Sequence, residues 1–250
     1  MTEVKTEYKL NYEYVAADQY VSAIIVAAGN STRMGIQKQF LPVFGIPVIA
    51  RSMMCMQSCC LVSEIIVVAR TEEIADIQKL AEAYKITKLS TIVEGGDTRQ
   101  KSVENGVTVC NAMVKYFLIH DGARPLAPDE MIQRVIRKAF ETKAAAAAVN
   151  VKDTIKRADK QGKVIETPER DSLYSVQTPQ VIEAELYKKA LHFAVEYNLL
   201  VTDDCEICEK YGADVFLAEG DYGNIKITTP EDIGIAEGIL MARRSDSDLS

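Results

Sequence analysis

Apolar residues run along this chain in two rhythms. Residues 22–27, 64–69 and 115–120 are short, nearly continuous apolar runs, the pattern of strands buried on both faces. Between them the period lengthens. Residues 102–114 place Val103, Val107, Cys110 and Val114 on one helical face, and residues 128–140, opening Pro-Asp-Glu, do the same with Ile132, Val135, Ile136 and Ala139. Near the end, Thr229, Pro230, Glu231 and Asp232 read as an N-cap, a first-turn proline and two acids that suit a helix N-terminus. They predict a last helix to about Arg243. Strands alternating with helices in this way predict an α/β layer fold with a mainly parallel sheet.

Residues 149–173 break the alternation. Their side chains alternate about a turn signal at Asp159 to Gly162, which predicts a protruding β-hairpin arm. A lone two-stranded hairpin is marginal in water, so the arm is expected to lie against a second subunit; the other reading is a flexible surface hairpin. Residues 143–149, with five consecutive alanines, carry helical propensity, yet propensity is weak enough that they can enter the sheet as a buried strand. The pattern leaves that boundary open. One domain is expected over residues 21–243, with the arm at about 149–172. Before it, in residues 1–20, Tyr8, Leu10, Tyr12 and Tyr14 alternate with polar neighbours and permit an extra strand or an ordered flap. The short polar tail, 244–250, is expected to be disordered.

Composition narrows the partners. At 250 residues the chain can bury a substantial core. Its net charge of -7 argues against a general nucleic-acid surface, so local basic clusters point to local anions. The acidic N-terminal residues do not read as a secretory signal, and no later run suits a membrane span, which predicts a cytoplasmic protein. The six cysteines are then expected to be reduced. Cys205 and Cys208 form a C-x-x-C, but only two histidines accompany it, and the spacing is read as one buried helical face rather than a metal site.

The most informative stretch is VSAIIVAAGNSTRMGIQKQF, residues 21–40. An apolar run enters a loop of small residues, Ala27, Ala28, Gly29, Asn30, Ser31 and Thr32, whose backbone N–H groups can approach phosphate oxygens together. Arg33 and Lys38 add positive charge. The plainer alternative is a strand-to-helix turn with two surface cations. Neither the G-x-x-x-x-G-K-[ST] of a P-loop nor the G-x-G-x-x-G of a dinucleotide fold is present.

Five further clusters sit at loops after strands or at helix starts: GGDTRQKS (95–102), HDGARP (120–125), RDSLYSVQTPQ (170–180), TDD (202–204) and GDYGNIKITTPED (220–232). With the opening loop they closely resemble the 2-C-methyl-D-erythritol 4-phosphate cytidylyltransferase family, over roughly residues 21–240. The resemblance implies a three-layer, Rossmann-like nucleotidyltransferase fold with a mainly parallel sheet and a β-hairpin arm. It implies transfer of CMP from CTP to methylerythritol 4-phosphate with release of pyrophosphate, Mg2+ held mainly through the CTP phosphates with no protein metal site, and a homodimer joined through the arm. The attacking phosphate monoester is already ionised near neutral pH, so neither a general base nor a protein nucleophile is needed.

Carried over by motif, Arg33, Lys38 and Lys226 are the expected catalytic cations. Ala27, Ala28, Gly29, Asn30 and Ser31 would meet the nucleotide, as would Gly95, Gly96, Asp97, Arg99 and Ser102 at the cytosine and ribose. Asp121 would face ribose, substrate hydroxyls or metal-bound water, and Arg124 is read as structural. His120 is read as a packed strand-end residue rather than a base. On the acceptor side the resemblance assigns Thr154 and Arg170 of the partner's arm, with Thr178, Thr202 and Asp203. Two alternatives accompany it: a pentitol-phosphate cytidylyltransferase acting on ribitol 5-phosphate, and a nucleotide-binding regulator without catalysis.

Overall fold

A computed structural model describes residues 19–29 and 38–247. The alternating residues 8–14, which permit an extra strand or an ordered flap, and Asn30, Ser31, Thr32 and Arg33 of the opening loop lie outside the described residues. The strands are β1 (Val21–Val26), β2 (Pro42–Val43), β3 (Ile46–Pro47), β4 (Glu64–Ala69), β5 (Leu89–Glu94), β6 (Tyr116–Asp121), β7 (Ala144–Asn150), β8 (Arg157–Ala158), β9 (Val164–Glu166), β10 (Tyr174–Glu183) and β11 (Phe216–Glu219). The helices are α1 (Val48–Ser58), α2 (Ile74–Ala83), α3 (Arg99–Thr108), α4 (Asp129–Thr142), α5 (Ala184–Glu196), α6 (Asp204–Tyr211) and α7 (Glu231–Ser247).

Seven strands form the central sheet in the order β11-β7-β10-β6-β1-β4-β5, and β10 alone runs against its neighbours. Because side chains alternate across a sheet, β1 feeds two cores. Ala23 and Ile25 meet Met53 of α1, Ile77 of α2 and Val135 of α4 in one cluster, while Ile24 joins Val103 of α3, Tyr187 of α5 and Cys205 of α6 in another. This is the three-layer architecture expected from the resemblance.

The alanine run becomes strand β7. Ala145 and Ala147 belong to the first core and Ala144 and Ala146 to the second, all of them fully buried. Tertiary pairing with β10 and β11 overrides their helical propensity. α3 begins three residues earlier than its apolar period predicts, because Thr98 caps it by accepting the Lys101 N–H at 3.0 Å. It also ends at Thr108, and Val114 reaches the second core from the following turn. α7 continues to Ser247, past the predicted end at Arg243 and into the tail expected to be disordered.

The arm is present. β8 and β9 pair antiparallel, and Asp159 closes the turn by accepting the N–H groups of Gln161 and Lys163, with Gly162 in the left-handed region at φ 83°. Ile155, Val164 and Ile165 on the arm are exposed. All six cysteines are free, and Cys205 and Cys208 are both buried on α6. No described helix is long and apolar enough to cross a membrane.

Candidate active site

The chain leaves β1 for β4 and β5 on one side of the sheet and returns to β6 on the other. Crevices open at the carboxyl ends of strands where the order reverses in this way. Here the crevice is a cleft of about 410 Å³. Ala28 and Gly29 reach it from the end of β1, Arg70, Thr71 and Glu72 from β4, and Gly95, Gly96 and Asp97 from β5. Asp121 ends β6 in the same cleft, where Lys38, Arg99, Ser102 and Lys226 also line the wall.

Close approach of two loops shapes one side. The Gly95 N–H extends the sheet ladder to Ala69 O at 2.9 Å, and a Cβ on Gly95 would collide with the Cβ of Ala28. Ser102 braces the turn: its hydroxyl accepts the Gly96 N–H at 3.0 Å and donates to Thr98 O at 2.9 Å, which leaves one acceptor position. Ala27 is committed elsewhere. Its N–H donates to Val68 O at 2.7 Å and its carbonyl accepts from Gln39 Nε2 at 3.1 Å, so it anchors the start of the loop.

Asp121 is the electrostatic centre. Its carboxylate lies 2.8 Å from Lys226 Nζ, 3.6 Å from Arg124 Nε and 3.7 Å from Arg99 Nη2. Burial opposes its charge, but Lys226 first, then Arg99 and Arg124, hold its pKa down to about 2. Arg99 also pairs with Asp204 at 2.7 Å. Burial works against the guanidinium charge, and the carboxylates of Asp204 and Asp121 outweigh it and keep Arg99 above its usual range.

Lys226 sits between two anchored neighbours. Asn224, fully buried, donates from Nδ2 to Thr178 O at 2.9 Å and to Gln177 Oε1 at 3.1 Å, and its backbone carbonyl accepts from Arg124 Nη1 at 2.8 Å. Ile227 donates to Ala123 O and packs in a small core with Val43, Val48 and Ala236. Arg124 therefore carries the structural role expected for it.

Thr178 stands directly behind Asp121. Its side chain does not line the cleft but supports Asp121 from behind: Thr178 Oγ1 accepts the Asp121 N–H at 2.9 Å, so its own proton goes to His120 Nδ1 at 3.2 Å. That assigns the remaining His120 proton to Nε2, which donates to Arg124 O at 3.0 Å. Burial lowers the His120 pKa to about 4, so the ring is neutral and packed, as expected, and is no base.

The other acceptor-side residues also lie outside this cleft. Thr154 and Arg170 are exposed on the arm. Asp203 caps α6 by accepting the Glu206 N–H at 2.9 Å, and Glu206 returns the bond by accepting the Thr202 N–H and hydroxyl at 2.7 and 2.9 Å. Sequence reasoning gave no role to Arg70, Thr71 and Glu94 on the cleft wall or to Asp204 and Asn224 behind it. Position at or just after a strand's end was a usable signal for the first group; the second group is visible only through tertiary contacts.

A family model for 2-C-methyl-D-erythritol 4-phosphate cytidylyltransferase matches residues 21–242. The chain is 47% identical to the protein of that name from Caldanaerobacter subterraneus subsp. tengcongensis over 223 residues, 88% of this chain and 98% of the relative. The fold superposes on a crystal structure of 4-diphosphocytidyl-2C-methyl-D-erythritol synthase from Anaerococcus prevotii with a TM-score of 0.82 and 32% identity, covering 90% of this chain and 97% of that one. A Thermus thermophilus 2-C-methyl-D-erythritol 4-phosphate cytidylyltransferase gives 0.72 and 29% over 88% of this chain and 98% of its own.

Proposed function

The chain belongs to the 2-C-methyl-D-erythritol 4-phosphate cytidylyltransferase family, and from that premise we propose how its own residues carry the reaction. The enzyme transfers CMP from CTP to 2-C-methyl-D-erythritol 4-phosphate, giving 4-diphosphocytidyl-2-C-methyl-D-erythritol and pyrophosphate, in non-mevalonate isoprenoid biosynthesis. The observation that carries the residue assignment is the convergence of Lys226, Arg99 and Lys38 on one cleft at the sheet's switch point.

In this reading the cytosine lies against Gly95, Gly96 and Ser102, where the free acceptor position on Ser102 suits an exocyclic amino group. Asp97 and Arg99 flank the ribose. The triphosphate follows Ala28 and Gly29 towards Lys38, and Asn30, Ser31 and Arg33 keep the phosphate-binding roles expected of them from the sequence. An oxygen of the acceptor phosphate attacks the α-phosphorus as the bond from phosphorus to the pyrophosphate oxygen breaks. Lys226 exchanges Asp121 for the α-phosphate and stabilises the charge gathering there.

Asp121, held ionised in the cleft, is a hard oxygen donor that fits Mg2+ taken mainly through the CTP phosphates. Once bound, the ion neutralises triphosphate charge. Thr154 and Arg170, exposed and outside their own cleft, are placed in this reading to complete the partner's site in a homodimer, with Arg170 pairing the acceptor phosphate as a guanidinium can. Thr202 and Asp203 stand on the acceptor side. The cytoplasm is the proposed compartment, in keeping with six free cysteines.

Co-expression of Lys226→Ala and Arg170→Ala chains tests the shared site. A mixed dimer holds one intact site and one doubly impaired site, so random assortment of two nearly inactive parents should restore about a quarter of the wild-type rate. A mixture no more active than either parent would contradict an arm that acts across the dimer.

A further inference from the structure

Behind the cleft lies a fully buried carboxylate that none of these steps uses. Asp204 opens α6 with no exposed surface, and every polar group it owns towards the cleft side is fixed. Oδ2 accepts from Arg99 Nη2 at 2.7 Å, and Oδ1 accepts the Tyr187 hydroxyl at 2.6 Å. Its N–H, like that of Cys205, donates to Gln180 Oε1, at 3.0 and 2.9 Å. Elements α3 and α5 thus meet the side chain of Asp204 on α6, and β10 holds its backbone.

A buried ion pair is a poor source of stability, since an apolar replacement of similar volume often serves as well or better. Its geometric effect is larger. Arg99 stands in the first turn of α3 and is about one-third exposed in the cleft. A guanidinium has five donors in a fixed fork, so anchoring one nitrogen on an immobile carboxylate sets the direction of the rest. The second carboxylate, Asp121 at 3.7 Å, belongs to the cleft itself.

We propose that Asp204 is a positioning residue for the nucleotide: through its pair with Arg99 it fixes the guanidinium in the orientation that meets the sugar and phosphate oxygens of CTP. This rests on the reading of the cleft as the CTP site. Tyr187 and Gln180 belong to the same device, one holding the carboxylate and the other the backbone that presents it. Asp204 also follows Thr202 and Asp203 directly, so the device ties the loop assigned to the acceptor to the helix assigned to the nucleotide.

The test is steady-state kinetics and CTP titration of the full chain carrying Asp204→Asn, Arg99→Gln or both. Loss of a charge-assisted contact predicts a rise in the CTP KM of about tenfold for Asp204→Asn, larger than its fall in kcat, with the acceptor KM within about twofold of wild type. The double variant should bind CTP no more weakly than Arg99→Gln alone, because both changes remove one device. A purely structural role would lower the amount of active enzyme and leave the CTP KM unmoved. An unchanged CTP KM in Asp204→Asn, or effects that multiply in the double variant, would overturn the proposal. If Asp204→Asn does not fold, Tyr187→Phe leaves the charge in place, and a rise of about threefold in the CTP KM is expected, with no rise overturning the proposal. Absence of CTP binding by the wild type would instead overturn the reading of the cleft.

Discussion

Lys226 Nζ lies 2.8 Å from Asp121 Oδ2, so the cation proposed for the α-phosphate is paired with a carboxylate of the same cleft. Asp121 serves Arg99 and Arg124 as well, and one carboxylate thereby keeps three cations together in the cleft proposed for the triphosphate. Nucleotide phosphates offer the same cations a denser set of oxygens.

Asp121 should also shape acid stability. Its folded pKa, about 2, lies below the unfolded carboxylate value, so its contribution is full above about pH 4 and is lost as pH falls through 2. The shift corresponds to ~2 kcal/mol. Urea unfolding of Asp121→Asn at neutral pH is expected to show a loss of that order and a flatter acid limb. An unfolding free energy equal to wild type would refute the hub.

His120 acts in a different pH window. Its folded pKa is about 4 against an ordinary value near 6.5, so the unfolded chain takes up the proton first. Stability is full above about pH 6.5 and falls by ~3 kcal/mol as pH drops to 4. His120→Asn should remove this part of the slope in denaturant titrations between pH 7 and 4.5. Parallel slopes for the two proteins would contradict a buried neutral ring.

Gly95 is required for space rather than for backbone freedom. Its missing Cβ points at Ala28, so Gly95→Ala must push apart the two loops that form the cytosine side of the cleft. The expected result is a CTP KM raised about tenfold or more, with ~1–3 kcal/mol of lost stability from overpacking. A variant with wild-type CTP affinity would show that the loops are not held at this distance when CTP binds.

Much of this was legible in the sequence, and the reasons differ by residue. β4 was readable to its ends because an apolar run bounded by polar residues has few other fates in an α/β chain. Lys38, Gly95, Asp121 and Lys226 were carried over from motifs that the chain shares with the family, and the fold brings all four to one cleft. The alanine run of β7 was ambiguous because burial between β10 and β11, not propensity, decides it. The support that Thr178 gives Asp121 was not legible, because a hydroxyl on β10 meets a backbone N–H of β6 only once the sheet has formed. Asp204 stood in TDD without a role of its own, because only the fold brings Arg99 and Tyr187 to it.

The most direct test of the account is the turnover number of Lys226→Ala, measured as pyrophosphate release from CTP and Mg2+ with saturating methylerythritol 4-phosphate. Lys226 is 41% exposed and Asp121 keeps two other cations, so the variant should fold as the wild type does. Loss of one contact aimed at transition-state charge predicts a kcat lower by about 10²–10³-fold. A kcat within about fivefold of wild type would place the chemistry elsewhere than at this lysine.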